Sequence, residues 1–220
     1  MAVISDYNSL VAEVKAWCAR SDSAFSARFP VFVAAAEERL YNGHGEPGET
    51  LYTPPIRSRV MESDDTTVTL TDGVGELPDD ALAIKKISRA GDTTGLTYAP
   101  PHTWDAYQAG VQNGGPPSYY KIEGLTISVA PVWSGDLVIR YYKRLPAISS
   151  ENTTGDMLTA HGLAYFNAVM FEAFSFMQEP ELAVASLGKL KSVIDGINRV
   201  AHDVRTGGAR VRSISQVLGV

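Results

Sequence analysis

The sequence predicts an α+β fold, with a helical bundle lobe built from the N- and C-terminal helices and an antiparallel β-sandwich or open-barrel lobe inserted between them. Three observations predict it. Apolar residues recur every three to four positions near both ends of the chain, the spacing of one helix face. Between Ile56 and about Leu145 the apolar period changes to two, the spacing of one strand face. Turn-forming residues separate the regimes, a Gly/Pro-rich stretch from Gly43 to Pro55 and a polar one from Ser149 to Thr154.

The first helix is read from Leu10, Val11, Val14 and Trp17, with Ser5 or Asp6 able to cap its start by accepting a backbone N–H. A break follows at Arg20–Ser23. A second helix runs from about Pro30, whose missing N–H suits a first turn, to Asn42-Gly43. Phe29, Phe32, Val33, Ala36 and Leu40 form its apolar stripe, and Glu37 and Glu38 are expected on its solvated surface. Residues 43–55 form a long loop, of the kind that is usually functional or mobile. In the β region, Val68 and Leu70 alternate with threonines before an Asp72-Gly73 turn, and Ala83, Ile84 and Ile87 follow Leu77-Pro78-Asp79-Asp80. A short helix is expected around His102–Ala109. Ile122, Leu125, Ile127 and Val129 flank a Glu123-Gly124 turn, and Leu137, Ile139 and Tyr141 alternate along a last strand that stops near Pro146.

Two helices then return. The first carries a wide stripe from Leu163 to Met177, with Tyr165, Phe171 and Phe176 adding aromatics on other faces. A helix apolar nearly all round is either central or shared with another subunit, so these three aromatics are candidate subunit-interface residues. Pro180 opens the last helix, whose seam is Leu190, Val193, Ile194, Ile197, Val200, Ala201 and Val204, and Gly207-Gly208 ends it. The tail beyond carries Arg210 and Arg212, no acid, and four apolar residues without an evident intramolecular partner: Val211, Ile214, Val217 and Leu218. The expected division is 1–42 and 149–206 for the helical lobe, 56–148 for the β lobe, and 207–220 for the tail.

Composition bounds the function. The 220 residues are 45% hydrophobic and 20% charged, an ordinary globular balance, and the net charge is −6. An acidic chain of this kind is not expected to be a general nucleic-acid binder. A single cysteine, Cys18, excludes an internal disulfide and a cysteine-based zinc site, and it reads as a buried structural thiol. No signal peptide is read at the N-terminus, and Leu163–Met177, broken by Asn167 and Glu172, is too short and polar to span a bilayer.

Motifs of chemistry are sparse. His44, His102, His161 and His202 have neither metal-ligand spacing nor a helical glutamate partner. No G-x-S-x-G elbow occurs. Gly188-Lys189 fails as a P-loop because Ala183 and Leu190 stand where Gly and Ser or Thr are needed. Gly43–Gly48 matches G-x-G-x-x-G literally, but it follows a helix and opens none, so it reads as a loop. Tyr119-Tyr120 and Tyr141-Tyr142, near Lys121, Arg140, Lys143 and Arg144, could form a stacking platform for single strands, though strand packing accounts for them better. No catalytic, cofactor or metal residue is assigned.

Several ordered segments carry a resemblance. They are Trp17-Cys18-Ala19-Arg20-Ser21-Asp22; Ala35-Ala36-Glu37-Glu38-Arg39-Leu40; Tyr52-Thr53-Pro54-Pro55-Ile56-Arg57-Ser58-Arg59-Val60-Met61-Glu62; Leu77-Pro78-Asp79-Asp80; Pro116 to Gly124; Tyr141 to Ser149; and Asn152-Thr153-Thr154 before Leu158. In order and spacing, over about residues 5–200, they resemble the head-to-tail adaptor (connector) family of short-tailed phages, of the tail tubular protein A type. The resemblance implies a non-enzymatic virion protein with a helical lobe and an inserted β lobe. It also implies a ring, twelve-fold to match the portal, that binds the portal on one side and nozzle or tail-tube proteins on the other while DNA passes through its bore. No membrane and no sequence-specific nucleic-acid contact are expected, and the protein is expected in the neck of the virion, assembled in the host cytoplasm. Arg210, Val211, Arg212, Ile214, Val217 and Leu218 are expected to meet the portal. Another neck protein (head-closure, stopper or tail-completion subunit) is the alternative, and a wall-degrading hydrolase, which would need paired carboxylates in a cleft, a more distant one.

Overall fold

A computed structural model describes residues 4–110 and 115–205. Two compact units emerge: Met1–Arg59 together with Ala147–Val220, and Val60–Pro146 between them. The fold is α+β.

The helical unit contains α1 (Tyr7–Trp17), α2 (Ser23–Ser26), α3 (Phe29–Asn42), α5 (Asp156–Phe176) and α6 (Pro180–Arg205). Asp6, not Ser5, caps α1: its carboxylate accepts from the Ser9 amide (2.9 Å), and the Ser9 hydroxyl accepts in return from the Asp6 amide (3.2 Å). The expected break after α1 holds the short α2, capped by Asp22 through the Phe25 amide (3.0 Å). Phe25 is buried there and meets the Phe29 and Phe32 rings of α3.

Helix α5 is the centre of this unit. From Ala164 to Phe171 every residue is buried, and α1, α3 and α6 all pack on it. The Leu163–Met177 stripe therefore belongs to a central helix. Its regular course is interrupted at His161 (φ −134°, ψ 41°), and the next residue must be small. A Cβ on Gly162 would lie 2.5 Å from the Ile4 carbonyl oxygen.

One surface expectation is overturned. Glu37 is 4% exposed. Its Oε1 accepts from the Ile148 amide (3.0 Å) and the Tyr165 hydroxyl (3.1 Å). Lying next to Ala36 and one turn from Val33 and Leu40, Glu37 borders the buried stripe, and its polar head is used where the chain returns from the β unit.

The 43–55 loop is tied down. His44 and Thr53 exchange both backbone hydrogen bonds (2.9 and 2.8 Å), and the Ile56 amide donates to the Leu40 carbonyl (2.8 Å). Gly43 makes the turn possible: its φ is +74°, and a Cβ would stand 2.7 Å from the Thr53 carbonyl oxygen. Residues 56–59, read from the sequence as the start of the β lobe, lie with the helical unit. The Arg57 amide donates to Asn198 Oδ1 (2.7 Å), and Asn198 Nδ2 donates to the Pro55 carbonyl (3.0 Å).

In the second unit, β1 (Thr66–Leu70), β3 (Ala81–Arg89) and β7 (Gly135–Lys143) form one antiparallel sheet in the order β1-β7-β3. The other sheet is β2 (Val74–Glu76), β4 (Thr97–Tyr98), β5 (Tyr119–Glu123) and β6 (Thr126–Ala130) in the order β2-β6-β5-β4. Inward residues of both sheets share one core, including Val68, Leu70, Ile87, Ile127, Val129 and Ile139. The period-two reading thus gave the faces. It did not give the β4–β5 pair, which is parallel, Thr97 opposite Tyr119. A parallel pair needs a crossover connection, and α4 (Pro101–Gly110) supplies its helix.

Replacing Glu37 with leucine leaves the Ile148 amide and the Tyr165 hydroxyl without this acceptor inside the core. The expected loss is about 2–5 kcal/mol, against a smaller loss for Glu37→Gln, which keeps an acceptor oxygen. Urea midpoints check it, and equal midpoints for wild type and Glu37→Leu would contradict it.

Candidate assembly surfaces

Nucleophilic chemistry would need a serine beside a base. Among the described residues, Ser58 Oγ and His161 Nε2 make such a pair, 2.5 Å apart and sharing a hydrogen bond. Ser58 is 4% exposed, so a substrate cannot reach it, and among the described residues no carboxylate is hydrogen-bonded to His161 to orient the ring. The pair instead joins the segment before the β unit to the interruption in α5. Burial holds the His161 imidazole below its ordinary range. Cys18 is half-buried, and burial pushes its thiol up to about 11, opposite to the shift a reactive thiolate needs.

The glycine loop does not cradle an anion. The Glu46 amide, one of the donors such a cradle would offer, already donates to the Glu49 carboxylate (3.0 Å). Among the described residues no group of three or more His, Cys, Asp or Glu could hold a metal ion, and no helix is long and apolar enough to cross a membrane.

The tyrosines of the β unit are used internally. Tyr141 and Tyr142 are buried, and the Tyr141 hydroxyl donates to Asp80 (2.9 Å). Tyr119 stacks on Tyr107 with centroids 4.2 Å apart, and Tyr120 meets Tyr98 edge-on. Lys121 pairs with Glu123 (2.9 Å) and lies over Trp104, while Arg140 forks onto Asp65, whose carboxyl it holds below the usual carboxylate range. Rings and cations that satisfy each other in this way do not make an open stacking platform.

The three aromatics read as subunit-interface candidates diverge. Tyr165 is 1% exposed and committed to Glu37. Phe171 is buried beneath the Arg39 guanidinium, 4.3 Å from its ring centroid. Phe176 is 42% exposed, resting one face on Phe25 and Phe32. The portal-directed candidates Arg210, Val211, Arg212, Ile214, Val217 and Leu218 lie outside the described residues.

Sequence reasoning missed an apolar groove on the helical unit. The groove, of about 540 Å³, runs between α1, α5 and the first half of α6, lined among others by Trp17, Leu163, Phe166, Met170, Leu182 and Lys189. Trp17 touches Phe166 edge-on yet is 55% exposed, because it ends α1 where no further turn covers it. Leu182, at 48%, was the available signal: an apolar residue on α6 well off the Leu190–Ile194 seam.

Both units leave apolar side chains exposed, Trp17, Leu182 and Phe176 on the helical one and Val74, Tyr98 and Val132 on the other, and such surface suits contact with other proteins. The SU10 adaptor protein family model matches residues 5–212, nearly the whole chain, and the chain belongs to that family. It is thereby a phage adaptor, a virion structural component and not an enzyme by kind. No curated protein matches the chain.

His161 gives a pH test. Its folded form favours the neutral ring, so its contribution to stability is present above its ordinary pKa of 6.5 and is lost as pH falls toward its lower folded value. Urea midpoints taken at about pH 7.5 and about pH 5.5 should fall further in wild type than in His161→Gln. An equal fall in both proteins would show that His161 is not responsible.

Proposed function

We propose that the chain forms the adaptor ring between the portal and the tail nozzle or tail tube in the virion neck, in the manner of tail tubular protein A, with twelve copies matching the portal and DNA passing through the bore. The observation that carries this reading is the family match over residues 5–212, which spans both units. Exposed apolar side chains support assembly as the role. Phe176, Trp17, Leu163 and Leu182 are each more than 40% exposed on the helical unit, and contiguous apolar surface marks a contact with another protein. Phe176 carries the subunit-interface proposal, since Tyr165 and Phe171 are enclosed.

The tail is the portal-binding element in this reading. Its Arg210 and Arg212 supply charge, and Val211, Ile214, Val217 and Leu218 supply apolar anchors. The bore is lined by acidic groups that let DNA slide, consistent with a net charge of −6 on each copy.

A chain ending at Gly208 should lose binding to the purified portal in a pull-down, and undiminished binding would rule the tail out. Electron microscopy of the chain with the portal separates an adaptor, which touches the portal directly, from another neck protein, which does not. Purified rings should leave duplex DNA unshifted in gels at about 0.15 M salt. Tight, salt-sensitive binding would refute a bore built for sliding.

A further inference from the structure

The geometry points to a head-to-tail contact in which the apolar groove of one copy receives the Glu46–Leu51 loop tip of the next. This rests on the ring reading above and names the surfaces that would close it.

The groove asks for a particular occupant. Trp17, Leu163 and Leu182 leave about half their surface open around a volume of about 540 Å³, enough for one or two apolar side chains. Lys189 stands in its lining, 6.0 Å from the Trp17 ring centroid, and forms no ion pair among the described residues. Among the described residues no carboxylate lines the groove. The complementary piece is an apolar side chain flanked by acids.

The same unit carries such a piece. In Glu46-Pro47-Gly48-Glu49-Thr50-Leu51, Leu51 is 41% exposed, and Glu46 and Glu49 are exposed and have no cationic partner among the described residues. The loop is already ordered by the His44–Thr53 bridge and by Lys191, which lies 5.0 Å from the Tyr52 ring centroid. Docking a preordered loop loses little conformational entropy.

Placement makes the pair a ring contact. Lys189 lines the groove and Lys191 holds the loop, and two residues apart on α6 they point about 200° away from each other. Groove and loop therefore flank opposite sides of the buried seam of Leu187, Leu190 and Ile194. A knob and a socket on opposite sides of one subunit cannot meet within a copy. They join copies heterologously, and such contacts close into a ring when the rotation allows.

The test uses the full chain with Cys18→Ser, carrying Leu51→Cys in one preparation and Leu182→Cys in another. After mixing and mild oxidation, the two preparations should give a mixed disulfide between copies, and a chain with both substitutions should give a ladder of covalent oligomers. Sedimentation velocity of the unoxidised full-length chain, run alongside, reports self-association. Lys189→Glu should weaken self-association about fivefold, and adding Glu49→Lys should restore it. Self-association without the 51–182 crosslink overturns this contact, leaves the ring standing, and gives the groove to another occupant such as the portal or the tail. Absence of self-association both alone at any concentration and on the purified portal overturns both the contact and the ring.

Discussion

Helix α5 cannot be left exposed. From Ala164 to Phe174 almost every side chain is buried, apolar ones on all sides, so the helix must be covered from several directions at once. Helices α1 and α3 cover it from the N-terminal part of the chain and α6 from the C-terminal part. Neither contributing segment covers the helix alone. The β unit lies between the two contributing segments, and its excursion must begin and end at the helical unit.

Three long-range polar interactions of the helical unit lie where the chain crosses from one unit to the other. Ser58 meets His161 and Arg57 meets Asn198 on the outward path, while Ile148 meets Glu37 on the return. A buried polar group destabilises a fold unless it is matched. These partners therefore have a definite geometry to satisfy, and they fix where the strand-bearing segment leaves and rejoins. The same economy governs the β unit, where Arg140 pairs with Asp65, and Lys121 with Glu123 and the Trp104 ring.

What remains open on the helical unit is apolar, and it is not spread evenly. Phe176 sits beside Phe25 and Phe32, and the groove lies between α1, α5 and α6. Such surfaces suit a phage adaptor, because contact between proteins is made through apolar area that each copy leaves exposed. The burial of Tyr165 and Phe171 shows how narrow the margin is. Two aromatics of the same helix are consumed by Glu37 and Arg39, and a third, at the helix end, is left available.

The sequence by itself determined the local structure and the inward faces. Period 3.6 marked α1, α3, α5 and α6, period two marked Val68, Leu70, Leu137 and Ile139 as inward, and Pro180 opened α6 as a proline at a first turn can. The ordered segments also carried the adaptor resemblance, since a family pattern is a property of residue order. Only the tertiary structure decided the fate of residues whose partners are far away in sequence. Glu37 looked solvated until Ile148 and Tyr165, more than a hundred positions later, reached it. The 43–55 loop looked loose until Thr53 closed on His44 and Lys191 came to lie over Tyr52. The groove was invisible because it belongs to three helices at once. Periodicity reports one face of one helix, whereas a cavity forms only where several faces fail to meet.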